Sequence, residues 1–298
     1  MNSHPKTLPT SQILMKEGFD KLSLSGIEHA RLEAGLLLAH VLETRKEDII
    51  LHPHRELTDP QEAQFQQLVE RRCRKEPLAY LTGHREFWSL DFKVNPKVLI
   101  PRPETEGIIE CLMSLVARDA GEKEIRVLDV GTGSGILAVV AAAELPTAQV
   151  TAVDISVDAL EVARTNAHNH QVADRIEFLQ MDLMAAWEFP GSRVYDFILS
   201  NPPYIPFGEL EFLMPDIRDY EPQEALAGGP DGLACYRGII PNAFLWLKPG
   251  GHLIVEVGDG QAGLVAQSIQ SQGGFDEIKI NRDLSGKERI VSARRALG

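Results

Sequence analysis

Asn201-Pro202-Pro203-Tyr204 is the stretch of this 298-residue chain with the most specific chemical content. Asn201 offers a side-chain carbonyl. Pro202 has no N–H, so its own carbonyl is left free to accept. An NH₂ group carries two donors, and two such acceptors can hold both of its hydrogens. That grip aims the nitrogen lone pair in one direction. Positive charge developing on the nitrogen as it attacks an electrophile would be stabilised by fixed carbonyl dipoles. Tyr204 adds a flat ring able to stack against a planar amide or base. No general base is needed, because the product nitrogen can lose its proton after transfer. Taken alone, the segment also reads as a proline-rich loop that ends a strand.

A second cluster lies upstream. Val127-Leu128-Asp129-Val130 is an apolar strand that runs into Gly131-Thr132-Gly133-Ser134-Gly135 and then a helix. Glycines allow close backbone approach and positive φ. A dinucleotide fingerprint needs G-x-G-x-x-G, but the sixth position here is Ile136. The spacing therefore argues against a pyrophosphate cradle and for a ligand with an adenosine and no phosphates. Asp154 closes the next strand, 23 residues after Gly131, where an acidic residue accepts from ribose hydroxyls. Asp182 follows the third strand and is placed to accept an adenine amino group, with Leu183 beside the ring. Asp129 has two readings: a strand carboxylate satisfied by N–H groups of the turn, or a direct ligand contact. This constellation, with Lys248-Pro249-Gly250-Gly251 ahead of an apolar strand, resembles the class I S-adenosylmethionine-dependent methyltransferases.

The elements that must hold these residues alternate. Strands are expected at Arg126–Val130, Gln149–Asp154, Ile176–Gln180, Phe197–Ser200, His252–Val257, Glu277–Arg282 and Arg289–Arg294. Helical segments such as Ile136–Ala143 and Val157–His168 separate the early ones. The alternation predicts an α/β fold, a doubly wound, Rossmann-like parallel sheet with helices on both faces. Leu284-Ser285-Gly286-Lys287 joins the last two strands without a helix, so they should pair antiparallel. Ahead of the sheet, Phe87–Val94 alternates with strand character, Asn95-Pro96-Lys97 reads as a turn, and Val98-Leu99-Ile100 resumes the strand. That predicts a β-hairpin linker over 77–101. The chain before it reads as four or five short helices. Ile27–Leu42 has a wide apolar face at helical period (Leu32, Leu36, Leu37, Ala39, His40, Val41). Thr58-Asp59-Pro60-Gln61 reads as a capping box that opens a helix ended by Pro77. The domain reading is thus a helical bundle over 1–76, the linker, and a catalytic domain over 102–298.

Charge follows this division. The chain carries −13 overall. Residues 1–75 hold 11 basic and 11 acidic groups, leaving 19 basic and 32 acidic groups in the remainder. An acidic catalytic part disfavours binding along a nucleic-acid backbone, which depends on many Lys and Arg contacts to phosphate. It would suit a basic protein substrate. The longest apolar run, Ile136–Ala143, is far short of the ~20 residues of a spanning helix, and Met1–Lys6 lacks a signal layout. Three widely spaced cysteines, Cys73, Cys111 and Cys235, offer neither a disulfide framework nor a metal site and read as reduced thiols. The expectation is a soluble, cytoplasmic protein without metal.

Further segments narrow the resemblance. Ala30-Arg31-Leu32-Glu33-Ala34-Gly35-Leu36-Leu37-Leu38-Ala39-His40, Pro77–Gly83, Ile100-Pro101-Arg102-Pro103-Glu104-Thr105-Glu106, Tyr220–Leu226, Gly228–Leu233, Asp283-Leu284-Ser285-Gly286 and Arg289 together resemble the PrmC/HemK family across nearly the whole chain. Its members are N5-glutamine methyltransferases of peptide chain release factors. The resemblance implies a seven-stranded methyltransferase sheet with an antiparallel last strand and a helical bundle that helps hold the release factor. It implies S-adenosylmethionine as donor, S-adenosylhomocysteine as product, and the glutamine of the Gly-Gly-Gln motif of class 1 release factors as acceptor. Carried over by motif, Gly131, Thr132, Gly133, Ser134, Gly135, Asp154, Asp182, Leu183 and Asn201 contact the cofactor. Asn201, Pro202, Pro203 and Tyr204 bind the glutamine, and catalysis falls to Asn201, Pro202 and Tyr204. Arg102 to Thr105 would wall the cofactor pocket; Arg102, Glu104 and Glu106 also have the reading of a capped helix start with acidic first-turn residues. Glu33, where the family usually has Asp, and Val130, where Leu is commoner, are departures that touch none of this chemistry. Asn-Pro-Pro-Tyr is shared with enzymes that methylate nucleic-acid bases, so an N6-adenine methyltransferase is the alternative.

Overall fold

A computed structural model describes residues 8–119, 124–187, 194–283 and 285–297. Met1–Thr7 and Leu284, which entered the readings of the N-terminal segment and of the last connection, lie outside the described residues. The chain divides into two compact units.

One unit runs to Gly83 and includes Pro215–Tyr220. Its helices are α1 (Ser11–Leu24), α2 (Ala30–Val41), α3 (Lys46–Leu51), α4 (Asp59–Cys73) and α5 (Leu78–Thr82). They pack around Leu14, Leu22, Leu37, Leu38, Phe65 and Val69. The capping box that opens α4 forms as read: the Thr58 N–H donates to Gln61 Oε1 at 3.0 Å. The apolar stripe of α2 is narrower than its sequence implies, with Leu32 and His40 turned outward. Its Glu33 pairs with the largely buried Arg72 of α4 at 2.5 Å, which gives a buried guanidinium the partner it needs.

The second unit holds a two-stranded hairpin and the main sheet. The hairpin strands are β1 (His84–Phe87) and β2 (Leu90–Lys93). They turn at Trp88-Ser89, not at the expected Asn95-Pro96-Lys97. Trp88 and Ser89 sit at φ 53° and 58°, the two consecutive left-handed residues that a two-residue hairpin turn requires. Asn and Gly usually fill those positions, so Trp88 and Ser89 carry no turn signal by residue type. The Asn95 turn is real but lies in the exit segment, where Lys97 N–H donates to the Asn95 side chain at 2.9 Å. Val98-Leu99-Ile100 is not strand.

After α6 (Glu106–Asp119) come β3 (Ile125–Val130), α7 (Ile136–Glu144), β4 (Ala148–Asp154), α8 (Val157–Asn169), β5 (Ile176–Gln180) and β6 (Tyr195–Ser200). The short α9 (Pro215–Arg218) belongs to the first unit. Then follow α10 (Ala234–Trp246), β7 (Leu247–Glu256), α11 (Ala262–Gln272), β8 (Phe275–Arg282) and β9 (Glu288–Arg295). The sheet order is β5-β4-β3-β6-β7-β9-β8. All pairs are parallel up to β7, and β9 runs antiparallel to both β7 and β8. Strand residues alternate between two cores: Val127, Phe197, Leu199 and Ile254 face α6 and α7, whereas Leu128, Ile198, Leu253 and Val255 face α10 and α11. The doubly wound reading therefore holds, with the last strand inserted antiparallel.

One buried side chain ties the hairpin to the glycine-rich loop. Asn166 of α8 is wholly buried. Its Nδ2 donates to Lys93 O at 3.0 Å and to Ser134 O at 2.8 Å, and its Oδ1 accepts from Lys93 N–H at 2.8 Å. One amide thus ties β2 to the glycine-rich loop after β3. Asn166→Ala leaves three backbone groups without their partner, and a stranded buried group costs ~1–3 kcal/mol. A loss of about 3 kcal/mol in unfolding free energy is expected by chemical denaturation of the whole chain. An unchanged midpoint would show that the amide ties nothing.

Candidate active site

β3 and β6 are parallel neighbours, with Val130 opposite Ser200. The Ser200 hydroxyl donates to Val130 O at 2.7 Å across the pair. Both strands stop at that level, so the chain leaves the sheet side by side at Gly131 and Asn201. β4 and β5 continue on one side of this point and β7 on the other. Ligands of open α/β sheets bind at such a reversal of strand order.

The glycine-rich loop is shaped by its backbone. Gly131, Gly133 and Gly135 have φ of 75°, 54° and 84°, a region that costs other residues free energy. Their side-chain-free positions do different things. A Cβ on Gly131 or Gly133 would meet nothing within 4 Å, and both line an open cavity. A Cβ on Gly135 would come within 3.0 Å of Ala163, so this glycine lets α7 approach α8.

Three acidic residues lie at or just beyond the ends of β3, β4 and β5, and two of them hold the loop. Asp154 Oδ2 accepts from Gly133 N–H and Oδ1 from Ser156 N–H, each at 2.9 Å. Burial raises its carboxyl above the usual range despite those bonds. Asp129 is completely buried. Its Oδ2 accepts from the Thr132 hydroxyl at 2.6 Å and from Ala138 N–H at 3.1 Å. The Thr132 loop hydroxyl and an N–H of α7 thus hold one oxygen, while Oδ1 has no partner among the described residues. Burial pushes the carboxyl up to about 7. Asp182 is exposed and turned to its own loop, where its Oδ1 accepts from Met184 N–H at 2.8 Å. Leu183 and Met181 line the cavity.

The cavity has a volume of about 620 Å³, within the usual span of small-ligand sites. Gly131, Thr132, Gly133, Ser134, Asp154, Leu183, Asn201 and Pro203 all stand on its wall. Arg102 and Thr105 join them, whereas Pro103 and Glu104 face a separate groove beside α6. Pro202 is buried. Arg102 is paired with Glu221, a side chain only 1% exposed, whose other oxygen accepts from Ile100 N–H at 3.2 Å. Two motif segments far apart in sequence are thereby joined at the rim. An open floor beneath two left-handed glycines, a loop-held carboxylate and apolar flanks fit an adenosine ligand.

The segment after Asn201 is held by Glu256 and Gln261, which motif reading did not single out, and by Thr105 and Gly228, which lie within motif segments. Tyr204 OH donates to Glu256 Oε1 at 3.1 Å, and Tyr204 O accepts from Gln261 Nε2 at 2.9 Å. Gly228 passes so close that a Cβ there would lie 2.6 Å from Tyr204 Cα. Thr105 donates to Glu256 Oε2 at 2.6 Å and accepts from Asn201 Nδ2 at 3.0 Å. Glu256 is 1% exposed, and burial pushes its carboxyl up to about 7. A lone acid inside the apolar strand Leu253-Ile254-Val255-Glu256-Val257 was the available signal, because a carboxyl is buried only where partners hold it. Among the described residues there is no cluster of His, Cys, Asp and Glu suited to a metal ion. No described helix is long and apolar enough to cross a membrane.

Asp129 makes a pH prediction. In the folded chain it keeps its proton up to about pH 7, whereas unfolded it loses it near its ordinary value of ~4. The folded state binds more protons in between, so its stability contribution is full below pH ~4 and is lost as pH rises to about 7. Asp129→Asn keeps the acceptor for Thr132 and Ala138 and never ionises. Denaturant unfolding at pH 5 and pH 8 should show a smaller loss in the variant than in the wild type. Equal losses would contradict the assignment.

Comparison with known proteins matches residues 14–83 to the PrmC N-terminal domain and 109–211 to the methyltransferase small domain. The release factor glutamine methyltransferase of Rhodopirellula baltica is 39% identical over 91% of both chains. That of Geobacter sulfurreducens is 41% identical over 92% of both, and that of Koribacter versatilis 40% over 94% of this chain and 98% of its own. Among solved structures, the hMettl16 catalytic domain in complex with the MAT2A 3′UTR hairpin 1 matches 88% of this chain and 91% of its own, with a TM-score of 0.58 and 14% identity. At that identity the likeness concerns the fold alone.

Proposed function

The chain belongs to the release factor glutamine methyltransferase family, and from that premise we propose that it methylates the side-chain nitrogen, N5, of the glutamine in the Gly-Gly-Gln motif of class 1 peptide chain release factors. The observation that supports this most is the adjacency of the glycine-rich loop and Asn201 at the ends of paired strands β3 and β6.

The donor in this reading is S-adenosylmethionine. When bound, it supplies an electrophilic methyl group on a sulfonium sulfur. Gly131 to Ser134 form the floor that would lie against it, with Gly135 behind them letting α7 approach α8; Asp154 offers its carboxylate to the ribose hydroxyls, and Leu183 and Met181 provide an apolar wall for the adenine. Asp182 is the weakest member of the set, since its carboxylate already holds Met184 N–H; reaching an adenine amino group asks for its second oxygen.

Asn201 and Pro202 accept the two hydrogens of the glutamine amide through their carbonyls. The nitrogen lone pair then points into the cavity, and the carbonyl dipoles stabilise the positive charge that grows as the new N–C bond forms. Tyr204, pinned at its hydroxyl by Glu256, presents a fixed ring to the planar amide. The nitrogen sheds a proton to water after transfer, and the donor leaves as S-adenosylhomocysteine. Most of the rate comes from holding the two reactants in line. We place the reaction in the cytoplasm, where reduced cysteines fit. The acidic catalytic unit favours a basic protein partner over a nucleic acid.

Incubation with labelled S-adenosylmethionine and an unmodified release factor should label the Gly-Gly-Gln peptide. Asn201→Ala should abolish that label while leaving affinity for S-adenosylhomocysteine within a few-fold. Label on nucleic acid and none on any release factor would establish the adenine-methylating alternative instead.

A further inference from the structure

We propose that Glu256 and Thr105 are positioning residues that fix which end of the Asn201 side-chain amide faces the substrate. The inference rests on the reading of Asn201 as an acceptor for the glutamine NH₂.

The two ends of an amide are nearly the same size, so shape does not choose between them. Donors and acceptors do. The Glu256 carboxylate can only accept. Two hydroxyls face it, Thr105 at 2.6 Å and Tyr204 at 3.1 Å, and each has a single hydrogen. Both hydrogens are therefore spent on Glu256. Thr105 Oγ1 is left with lone pairs only, and Asn201 Nδ2 supplies the hydrogen they require at 3.0 Å. Reversing the amide would set Asn201 Oδ1 against Thr105 Oγ1 with no hydrogen between them. The Asn201 Nδ2 is thus committed inward, and Oδ1 is the end left for a substrate NH₂. A reversed Asn201 would present donors to a donor and repel the glutamine nitrogen.

The relay links three elements that are far apart in sequence. Glu256 ends β7, Thr105 precedes α6, and Asn201 follows β6. Its inner end is shielded: Thr105 is 0% and Glu256 1% exposed, so bulk water does not readily replace a missing partner there. Other charged or titratable groups face the pair. Arg289 of β9 favours the ionised Glu256 and Glu104 opposes it. Tyr236 of α10 donates its hydroxyl to Glu256 O at 2.8 Å, and Arg102 acts on Tyr204. With its carboxyl pushed up to about 7, Glu256 takes a proton on mild acidification. A neutral acid carries a hydrogen of its own, and the direction of the relay is then no longer forced.

The test measures kcat with an unmodified release factor and binding of S-adenosylhomocysteine by calorimetry, in the full-length enzyme. Thr105→Val cannot relay, and misorienting one contact at a reacting centre costs about 10- to 100-fold in kcat. Cofactor affinity should stay within a few-fold. Thr105→Ser restores the hydroxyl and should recover kcat to near the wild-type value, which a merely space-filling role would not predict. Glu256→Gln keeps the shape but can donate. Its kcat should be reduced, and the rise of kcat with pH through about 7 expected of the wild type should be lost. If Thr105→Val does not fold, Glu256→Gln alone decides. Wild-type kcat in Thr105→Val, or wild-type kcat with an unchanged pH rise in Glu256→Gln, would overturn the relay, provided Asn201→Ala is inactive. An active Asn201→Ala would instead overturn the reading of Asn201 itself.

Discussion

The parallel pairing of β3 with β6 is the constraint on which the rest depends. Its register sets Val130 against Ser200, and a slip of one residue would turn every side chain of a strand to the opposite face. With the register as it is, the glycine-rich loop and Asn201 emerge together at the point where the strand order reverses. Apolar side chains on both faces of these strands fill the two cores around the same register. Packing and site geometry are therefore consequences of the same pattern.

Buried carboxylates fasten the loops that the sheet brings together. Asp129 holds the Thr132 hydroxyl and the N–H of Ala138, so the start of α7 is tied to β3. Asp154 holds Gly133 and Ser156. Glu221 grips Arg102 and the backbone at Ile100, and Glu256 grips Thr105 and Tyr204. Each of these acids is costly to bury, and each recovers that cost through N–H or O–H donors that would otherwise lack partners. The acidity of the second unit thus has an internal part, distinct from any surface charge that meets a partner. The raised carboxyls of Asp129 and Glu256 follow from this burial.

The sequence made the main sheet legible because most of its strands are apolar runs bounded by turn residues, and each of its seven expected strands appears within a few residues of its place. The glycine spacing and the Asn201 segment were legible for a different reason: few residue types satisfy those backbone and hydrogen-bond demands. The hairpin was misplaced because Trp88 and Ser89 adopt left-handed backbone without being Gly or Asn, so the turn left no compositional mark. The supporting shell was largely illegible. Nothing local to Thr105 or Gln261 announces a partner 151 or 57 residues away. Nothing in the residue type or helical position of Asn166 marks its three backbone partners. Such roles are set by tertiary approach, which periodicity does not encode. Glu256 was the exception that could have been found, as an acid within an apolar strand.

A crystal structure with S-adenosylhomocysteine and a Gly-Gly-Gln peptide bound together would test the central claim most directly. The account predicts the adenosine against Gly131 to Ser134 and Asp154, and the glutamine NH₂ within hydrogen-bond distance of Asn201 Oδ1 and Pro202 O. A glutamine side chain bound away from Asn201, or an adenosine seated elsewhere than the β3–β6 reversal, would contradict it.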